Sequence, residues 1–436
     1  MPRLAESWVW EDDGRTLRLR LRSDVLFHDG TPLTASTAVD SLQDAIRRPN
    51  NRALYSSLAD VTSVSPEGNR DVLVKLSQPS AFLPEDLELP LVRGTQIGTG
   101  PFKVVKGDQS EVVLDRFDKY YLGSPRITRV TIRAFNTLRT AWASLLRGDI
   151  DMVTNVPPEA VEFVKNDNVQ ITSFSRHYQY VVAFNSRRGP LASAQLRRAL
   201  NLAIDRDEII TKVLQGHGEP STGALWPRHW AYDRSIPGYS YQPALSKSLL
   251  DTETGGPAVR LTSSTGAPNA ALRFTCLIPA NFSILERLAL EIQRQLYNVG
   301  VDMQFQVLPA DEFNARISEG RFEAALLDMI SGPSLGRAYI FWRSARHFTG
   351  LNTFGYENAE AERMFDVLRT STNDGAVRSS LNRLQRVLLD DPPAIFIAWN
   401  DRTMAVRRAF NIVDEPGHDP FYTIWRWTPA VVSENR

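Results

Sequence analysis

The first ninety residues alternate between apolar and polar positions in the manner of β-strands. In RTLRLRLR the leucines alternate with arginines directly after the turn residues EDDG, and DVTSVS and DVLVKLS flank PEGNR in the same way. Period-two alternation around turn residues predicts antiparallel hairpins. Between the hairpins, residues 34–47 carry apolar side chains at helical spacing. We therefore expect an antiparallel sheet with one helix over residues 1–90.

Farther along, the pattern changes to strand, helix, strand. RITRVTIRAF and DIDMVTNV read as strands around the helical segment NTLRTAWASLLR, which Gly148 ends. The same order returns in VDMQFQVLP, ADEFNARISE and RFEAALLDMI, with Gly320 as the helix stop. Such units predict parallel strands covered by helices. Because about 170 residues separate the two units, we expect two α/β lobes rather than one continuous sheet.

The segment between these units, residues 216–265, is rich in proline, glycine and serine. Its part GEPSTGALWPRHWAYDRSIPGYSYQP contains five aromatic residues. An irregular stretch of this length is more often functional than a passive connection. Two lobes with an aromatic-lined crevice between them are suited to ligand binding by domain closure.

Composition restricts the function classes. A chain of 436 residues predicts two or three domains, and 42% hydrophobic with 23% charged residues is typical of a soluble globular protein. Fifty basic and fifty acidic residues give a net charge of +0, which argues against nucleic acid as a partner. We see no signal-peptide pattern and no apolar run long enough to span a bilayer.

Metal and disulfide chemistry are also disfavoured. Cys276 is the only cysteine, so no disulfide can form within the chain. The six histidines are dispersed, and no two stand at the i,i+4 spacing of a helical zinc site. No P-loop pattern occurs, and GTQIGTG lacks the spacing of a dinucleotide-binding loop. We therefore predict no metal and no cofactor.

One segment matches an enzymatic motif. GPSLG, residues 332–336, fits the nucleophile-elbow pattern, and Ser334, Asp391 and His418 follow the chain order of an α/β-type serine hydrolase. Pro333 restricts the turn, however, and no HGGG-like oxyanion segment lies upstream. We expect an ordinary polar loop here and keep a hydrolase that uses Ser334 as the alternative function.

The adjacent His28 and Asp29 are a second possible catalytic pair. Asp29 can accept a hydrogen bond from its own turn, and Gly30 can adopt positive φ. Thr34 stands where a helix N-cap is expected. A structural turn explains these residues without a catalytic role.

Five segments, in order, resemble the extracytoplasmic solute-binding proteins of the peptide/nickel type, which are the receptors of bacterial ABC importers. They are PRLAESWVWEDDGRTLRLRLRSDVLFHDGTPLTASTAVDSL, IGTGPFKVV, RGDIDM, VVAFNSRRGPLASAQLRRALNLAIDRDEIITKVLQGHGEP and the helix followed by VGVDM. The resemblance implies an α/β, two-lobed periplasmic-binding-protein fold of type II with an extra β-rich subdomain. It also implies a binding protein rather than an enzyme.

The resemblance suggests domain limits. The β-rich subdomain would cover 1–95, lobe I would cover 96–186 plus 405–436, and lobe II would cover 187–404. The chain would cross between the lobes near 184–188 and 399–406.

The resemblance also implies partners and a location. The protein would be a monomer that binds a peptide-like or other small polar solute between its lobes and delivers it to ABC permease subunits in the membrane. Its location would be the periplasm or cell envelope. Family members usually begin with an export signal and a further segment before the LAESW strand, whereas this chain begins at that strand. We therefore expect a truncated or misassigned start, or a cytosolic ligand-sensing derivative.

A second departure concerns the ligand. Peptide-binding members commonly carry W..D after the strand that matches RFEAALLD, and this acid pairs with the peptide's amino terminus. Here the matching residues are Met329, Ile330, Ser331 and Gly332, with Asp328 just before them. A sugar, an opine-like compound or another polar solute therefore stays open beside a peptide.

We predict ligand-binding residues beside the expected hinge, in the aromatic loop and just after the lobe II strands. They are Tyr178, Tyr180, Asn185, Trp226, Met329, Ser331, Trp342 and Trp399.

Overall fold

The fold is taken from a computed structural model that describes residues 3–94, 97–157, 160–255, 270–344, 352–413, 415 and 418–430. Its strands, in chain order, are β1 (Ala5–Glu11), β2 (Thr16–Leu21), β3 (Val61–Glu67), β4 (Asp71–Leu76), β5 (Phe102–Gly107), β6 (Glu111–Arg116), β7 (Arg129–Arg133), β8 (Met152–Val153), β9 (Val169–Phe184), β10 (Glu219–Pro220), β11 (Leu272–Pro279), β12 (Val301–Leu308), β13 (Ala324–Ile330), β14 (Ala394–Arg407), β15 (Phe410–Asn411) and β16 (Thr428–Pro429). Its α-helices are α1 (Ala35–Arg47), α2 (Pro49–Leu54), α3 (Leu83–Asp86), α4 (Leu138–Arg147), α5 (Val161–Val164), α6 (Ala194–Leu202), α7 (Arg206–Lys212), α8 (Pro243–Glu253), α9 (Ser283–Asn298), α10 (Ala310–Ser318), α11 (Leu335–Trp342), α12 (Ala359–Thr370) and α13 (Asp374–Asp390).

The N-terminal strands form the antiparallel sheet that the alternating pattern predicts. Its strand order is β1-β2-β4-β3, and the apolar face of α1 packs against it. The helix begins with a capping box, because Thr34 Oγ1 accepts a hydrogen bond from the Thr37 backbone N–H at 3.3 Å and Thr37 Oγ1 accepts from the Thr34 N–H at 2.9 Å. The predicted sheet, helix and N-cap are confirmed.

The first strand–helix–strand unit folds differently from the prediction. Helix α4 ends at Gly148, with φ 83°, as expected. Strand β7, however, pairs antiparallel with β6 in a three-stranded sheet, whereas β8 pairs antiparallel with the distant β14. The predicted parallel pair is therefore wrong, because the local pattern specifies strands and a helix but not the partners of the strands.

The second unit is parallel as predicted. Strand β11 pairs parallel with both β12 and β13 in a seven-stranded sheet of order β10-β14-β9-β13-β11-β12. Strand β8 also joins this sheet through β14. The expectation of two separate sheets is wrong on this point, because β9 and β14 are long enough to run through both regions.

Helices cover both faces of the large sheet. On β9, Val182 and Phe184 pack with α6 and α9, whereas Val181 and Ala183 pack with α11 and α13. All four side chains are fully buried. Burial on both faces explains why these strands are almost continuously apolar. The predicted α/β class is confirmed.

The long loop keeps part of its predicted irregular character. Strand β10 is its only regular element between residues 218 and 242, but α8 begins at Pro243, inside the segment that we expect to be irregular. Residues 256–265 of that segment lie outside the described residues. Across the described ranges, no helix has the length and apolar character that a membrane span requires.

Strand β9 loses one of its two neighbours part of the way along, and β14 exchanges β10 for β8. Residues 178–184 of β9 pair with β13, and 179–183 also pair with β14. Residues 169–175 of β9 pair with β14 alone, where β14 also pairs with β8. The register of β14 shifts between Phe396 and Ala398 and again between Trp399 and Asp401. We call residues 176–178 of β9 and 399–401 of β14 the crossing. The domain limits and hinge positions stay predictions.

Candidate functional site

Charged and polar side chains from three strands meet at the crossing. Arg176 Nη1 lies 3.0 Å from Asp328 Oδ2, and Asn400 Nδ2 donates to Asp328 Oδ1 at 2.5 Å. The Arg176 guanidinium also stacks on the Tyr178 ring, 4.0 Å from its centroid. We call Arg176, Tyr178, Asp328, Asn400 and the neighbouring Arg402 the ionic cluster.

Burial and neighbouring charges have opposing effects on the pKa values of Asp328 and Arg402 in this cluster. Burial raises the pKa of Asp328, while Arg176 and Asn400 act in the other direction. Burial also lowers the pKa of Arg402, and the like charge of Arg176 adds to this, whereas the carboxylates of Asp419 and Asp328 oppose it. Two guanidinium groups thus share the field of Asp328. Such an arrangement favours an additional negative charge nearby.

An aromatic cluster, formed by His177, Trp226 and Trp399, lies at the same place along the strands. Trp226 packs edge-on against Trp399 and His177, with ring centroids 4.5 and 5.2 Å apart. Both tryptophans are buried, with 6% and 2% of their surface exposed. The backbone N–H groups of Ser331 and Gly332 donate to the His177 carbonyl at 2.8 and 3.1 Å. The cluster therefore holds the end of β13 against β9.

A fully buried amide fixes the aromatic loop to this point. Gln179 Nε2 donates to Ser221 Oγ at 3.1 Å and to the Gly223 carbonyl at 3.0 Å. Gly332 lies so close to Trp226 that a Cβ there would stand 2.9 Å from Trp226 Cε3. The hydrogen bonds from Gln179 to the loop and the close approach of Gly332 together fix Trp226 at this end of the sheet. The position of Trp226 in the sequence does not by itself indicate this.

The structure brings most of the predicted ligand-binding residues to the crossing. Those that lie there are Tyr178, Trp226, Met329, Ser331 and Trp399, and Tyr180 pairs directly with Asp328 on the neighbouring strand. Asn185 lies at the opposite end of β13, where its Nδ2 donates to the Phe322 carbonyl at 2.8 Å. Trp342 is 2% exposed and packs against Phe396 in the core.

Asn185 and Trp342 thus have structural partners away from the crossing, and a single pocket does not include them. The ligand-binding role of the whole set stays a prediction.

Sequence reasoning missed Arg176, His177, Asn400 and Arg402. The sequence does contain an indication of these residues. The polar segments SRHYQ and NDR interrupt two long strands, and Asp328 interrupts the apolar strand AALLDMI. Charged residues are rarely buried without a partner, so charges that interrupt buried strands indicate that the strands run through a polar site.

Ser334, Asp391 and His418 do not form a catalytic triad. Ser334 Oγ accepts a backbone N–H in the first turn of α11 at 3.1 Å and caps that helix. Asp391 forms an ion pair with Arg197. His418 stacks on Tyr422, with ring centroids 4.0 Å apart. The alternative based on Ser334 is therefore wrong in its geometry, because each member of the triad has a different partner.

The pair His28 and Asp29 forms the predicted turn. Asp29 Oδ1 accepts the Thr31 backbone N–H at 3.0 Å, and Gly30 has φ 86°. His28 Nε2 lies 3.1 Å from the Gly100 carbonyl and thereby ties the turn to the following segment. These contacts are structural.

Possible metal ligands and the single thiol are the remaining candidate groups. Among those residues, no group of three or more histidine, cysteine, aspartate or glutamate side chains is arranged to hold a metal ion. Cys276 is fully buried, and burial raises the pKa of its thiol to about 12.

The large sheet has two long strands and is covered by helices on both faces, and polar side chains meet at the crossing. This arrangement is that of a binding protein. Residues 1–346 match the bacterial extracellular solute-binding proteins, family 5. The chain belongs to this family of solute-binding proteins.

Two relatives span most of the chain. It is 25% identical to the oligopeptide-binding protein AppA of Bacillus subtilis over 458 residues, which is 97% of this chain and 82% of the relative. It is 26% identical to the glutathione-binding protein GsiB of Escherichia coli K12 over 422 residues, which is 90% of this chain and 79% of the relative.

Solved structures share the fold. NikA from Brucella suis, in complex with Fe(III)-EDTA, has a TM-score of 0.85 at 20% identity and covers 98% of this chain and 91% of its own. NikZ from Campylobacter jejuni, in complex with Ni(L-His), has a TM-score of 0.81 at 23% identity and covers 98% and 90%. The resemblance to type II periplasmic binding proteins is confirmed at the level of the fold.

Proposed function

We propose that this protein is the solute-binding receptor of an ABC importer and that its solute binds at the crossing. The observation that carries the proposal is the ion pair between Arg176 and Asp328. It lies where β9 leaves β13, and its side chains are 23% and 27% exposed. Closing the lobes over such a pair would remove water and strengthen every electrostatic contact with a bound solute.

The aromatic cluster supports the same proposal. Because Trp226 is buried and packs against both His177 and Trp399, the cluster holds the strand ends and the loop in place and so keeps the polar groups in position. A rigid support of this kind is what a specific binding site needs.

The relatives favour a peptide-like solute, since one binds oligopeptides and another binds glutathione by name. The residues after β13 lack the acid of peptide-binding members, so another small polar solute remains within the proposal. We propose that the protein works as a monomer outside the cytoplasm and delivers the solute to permease subunits in the membrane. The family of extracellular solute-binding proteins supports this location.

The proposal is tested by native mass spectrometry of the purified protein, which detects a retained small molecule. The variant Asp328→Asn is compared with Asp302→Asn. The two carboxylates match well, because Asp302 also binds an arginine, Arg273 at 2.7 Å, and the side-chain amide of Gln304. We expect solute on the wild-type protein and on Asp302→Asn. Because Asp328 holds both Arg176 and the Asn400 amide in position, we expect at least tenfold lower occupancy on Asp328→Asn.

Two results would contradict the proposal. Equal occupancy of both variants would move the solute away from the crossing. A wild-type protein that carries no solute, and that no peptide or sugar stabilises against heat, would argue against a receptor altogether.

A further inference from the structure

The guanidinium group of Arg402, which lies next to the crossing, makes no hydrogen bond or ion pair with another described residue. Arg402 is half-buried on β14 beside Arg176 and Asp328. Arginine stays charged in proteins and offers five donors. A half-buried cation without a partner is uncommon enough to need an explanation.

The two carboxylates near Arg402 have other partners. Both oxygens of Asp328 are occupied, by Arg176 and by the Asn400 amide. Asp419 Oδ1 accepts the Phe421 backbone N–H at 2.9 Å. Neither carboxylate forms a direct ion pair with Arg402, so a group from outside the chain can occupy its donors.

A second polar atom on β14, the side-chain oxygen of Asn400, also lacks a hydrogen-bond partner among the described residues. Asn400 is 2% exposed, and its Nδ2 donates to Asp328. Its Oδ1 is buried and accepts no hydrogen bond from any described residue. A buried acceptor in this state carries a desolvation cost that a donor on a bound molecule would remove.

We propose that the solute carries a carboxylate that Arg402 binds, together with a neighbouring N–H or O–H group that donates to Asn400 Oδ1. This inference rests on the proposed function and names the chemical class of its solute. Guanidinium–carboxylate contacts are short, charge-assisted and commonly bidentate. The carboxylate also relieves the repulsion between Arg402 and Arg176.

The pairing of Asp328 has a consequence for selectivity. Because Arg176 already neutralises Asp328, the cluster offers no free carboxylate for an isolated cationic group. The recognition element of the solute is therefore its anion. Compounds that keep the same skeleton but lose the carboxylate charge should bind poorly.

The experiment measures thermal unfolding and titration calorimetry with matched probes. The pairs are trialanine with its C-terminal amide, glutathione with its diethyl ester, and glucuronate with glucose. Each pair changes the carboxylate and keeps most of the remaining structure. The proteins are wild type, Arg402→Gln, Arg402→Lys and the control Arg408→Gln, an exposed arginine just beyond β14.

We expect at least one carboxylate probe to raise the melting temperature of the wild-type protein while its uncharged partner does not. For that probe, Arg402→Gln should weaken binding about 10- to 100-fold, as the loss of a charge-assisted contact predicts. Arg402→Lys should bind with intermediate affinity, because it keeps the charge without the planar fork. Arg408→Gln should bind like the wild type.

Equal binding of a carboxylate and its uncharged partner would overturn this inference and leave the receptor function standing. Unchanged affinity in Arg402→Gln would do the same. If no member of any pair binds the wild-type protein and no solute is found on it by mass spectrometry, both the inference and the proposed function fail.

Discussion

A single buried carboxyl group affects the stability of the N-terminal sheet region. Asp86, at the end of α3, is 3% exposed and accepts hydrogen bonds from the Ser57 hydroxyl and from the Ser57 backbone N–H, the latter at 2.9 Å. Burial raises its pKa to about 6, although Ser57 and the charge of Arg337 act in the opposite direction. The folded state therefore binds the proton of Asp86 more tightly than the unfolded chain does.

This pKa predicts a pH dependence. An acid whose pKa is higher in the folded state stabilises the fold fully below its unfolded pKa, near 4, and loses that contribution as the pH rises through about 6. Asp86→Asn cannot ionise, so relative to this variant the wild type should lose about 2 to 3 kcal/mol between pH 4 and pH 7. Urea unfolding at several pH values measures the difference.

Asp40→Asn, at an exposed position of α1, controls for the removal of one carboxylate. A constant difference between the wild type and Asp86→Asn across this pH range would show that Asp86 does not titrate as described.

At the scale of elements, the site depends on how a loop rests on strand ends. Strands β9, β13 and β14 provide the ionic cluster, and the loop between β10 and α8 contributes Trp226. The loop is held by Gln179 and by the absence of a side chain at Gly332, which lets Trp226 lie directly on the backbone after β13. Close approach of this kind is a recognised use of glycine.

Gly332→Ala should displace Trp226, because the new Cβ would stand 2.9 Å from its indole ring. We expect a loss of about 1 to 3 kcal/mol in the free energy of unfolding, as for other overpacked sites, and a red shift in tryptophan emission. Gly223→Ala is the matched control in the same loop, since a Cβ there meets nothing within 4 Å. If both variants behave alike in urea unfolding and fluorescence, the contact is not the cause.

At the scale of the whole molecule, the N-terminal sheet region is attached to the large sheet through a few buried polar contacts. Arg369 on α12 forms an ion pair with Asp60, and its Nη1 donates to the Tyr339 hydroxyl at 2.7 Å. The Arg369 carbonyl accepts the Ala81 N–H at 2.5 Å. Both charged side chains are mostly buried, at 6% and 11% exposure. These contacts join the segments around Asp60 and Ala81 to helices α11 and α12.

Removing one partner of this pair should be costly, because the other charge would stay buried without compensation. We expect Asp60→Ala to lower the free energy of unfolding by about 3 to 5 kcal/mol and to speed proteolytic cleavage near residue 80. Glu312→Ala, which breaks an exposed pair with Arg316 on α10, should cost less than about 1 kcal/mol. Similar losses in urea unfolding for the two variants would contradict the role of Asp60.

The sequence predicts the local structure well and the site only in part. Capping by Thr34, the helix stop at Gly148 and the turn at Asp29 follow from residues that are neighbours in the chain, and all are confirmed. Trp226 and Trp399 are candidates from sequence because aromatic residues in a loop and at a strand end are visible in it. Arg176 and Arg402 are not, because a charge on a strand shows its role only when its neighbours in space are known.

The sequence by itself determined the periods of its strands and helices, the α/β class and the family, since these depend on local patterns and on blocks in a fixed order. Only the tertiary structure decided which strands pair. It separated β7 from β8 and joined residues 230 positions apart, such as Ser173 and Thr403, whose hydroxyl oxygens lie 3.0 Å apart. The physical reason is that strand pairing and desolvation are cooperative properties of the whole chain. A charge such as Arg402 becomes a candidate for binding only where folding has buried it among groups whose hydrogen bonds are already made.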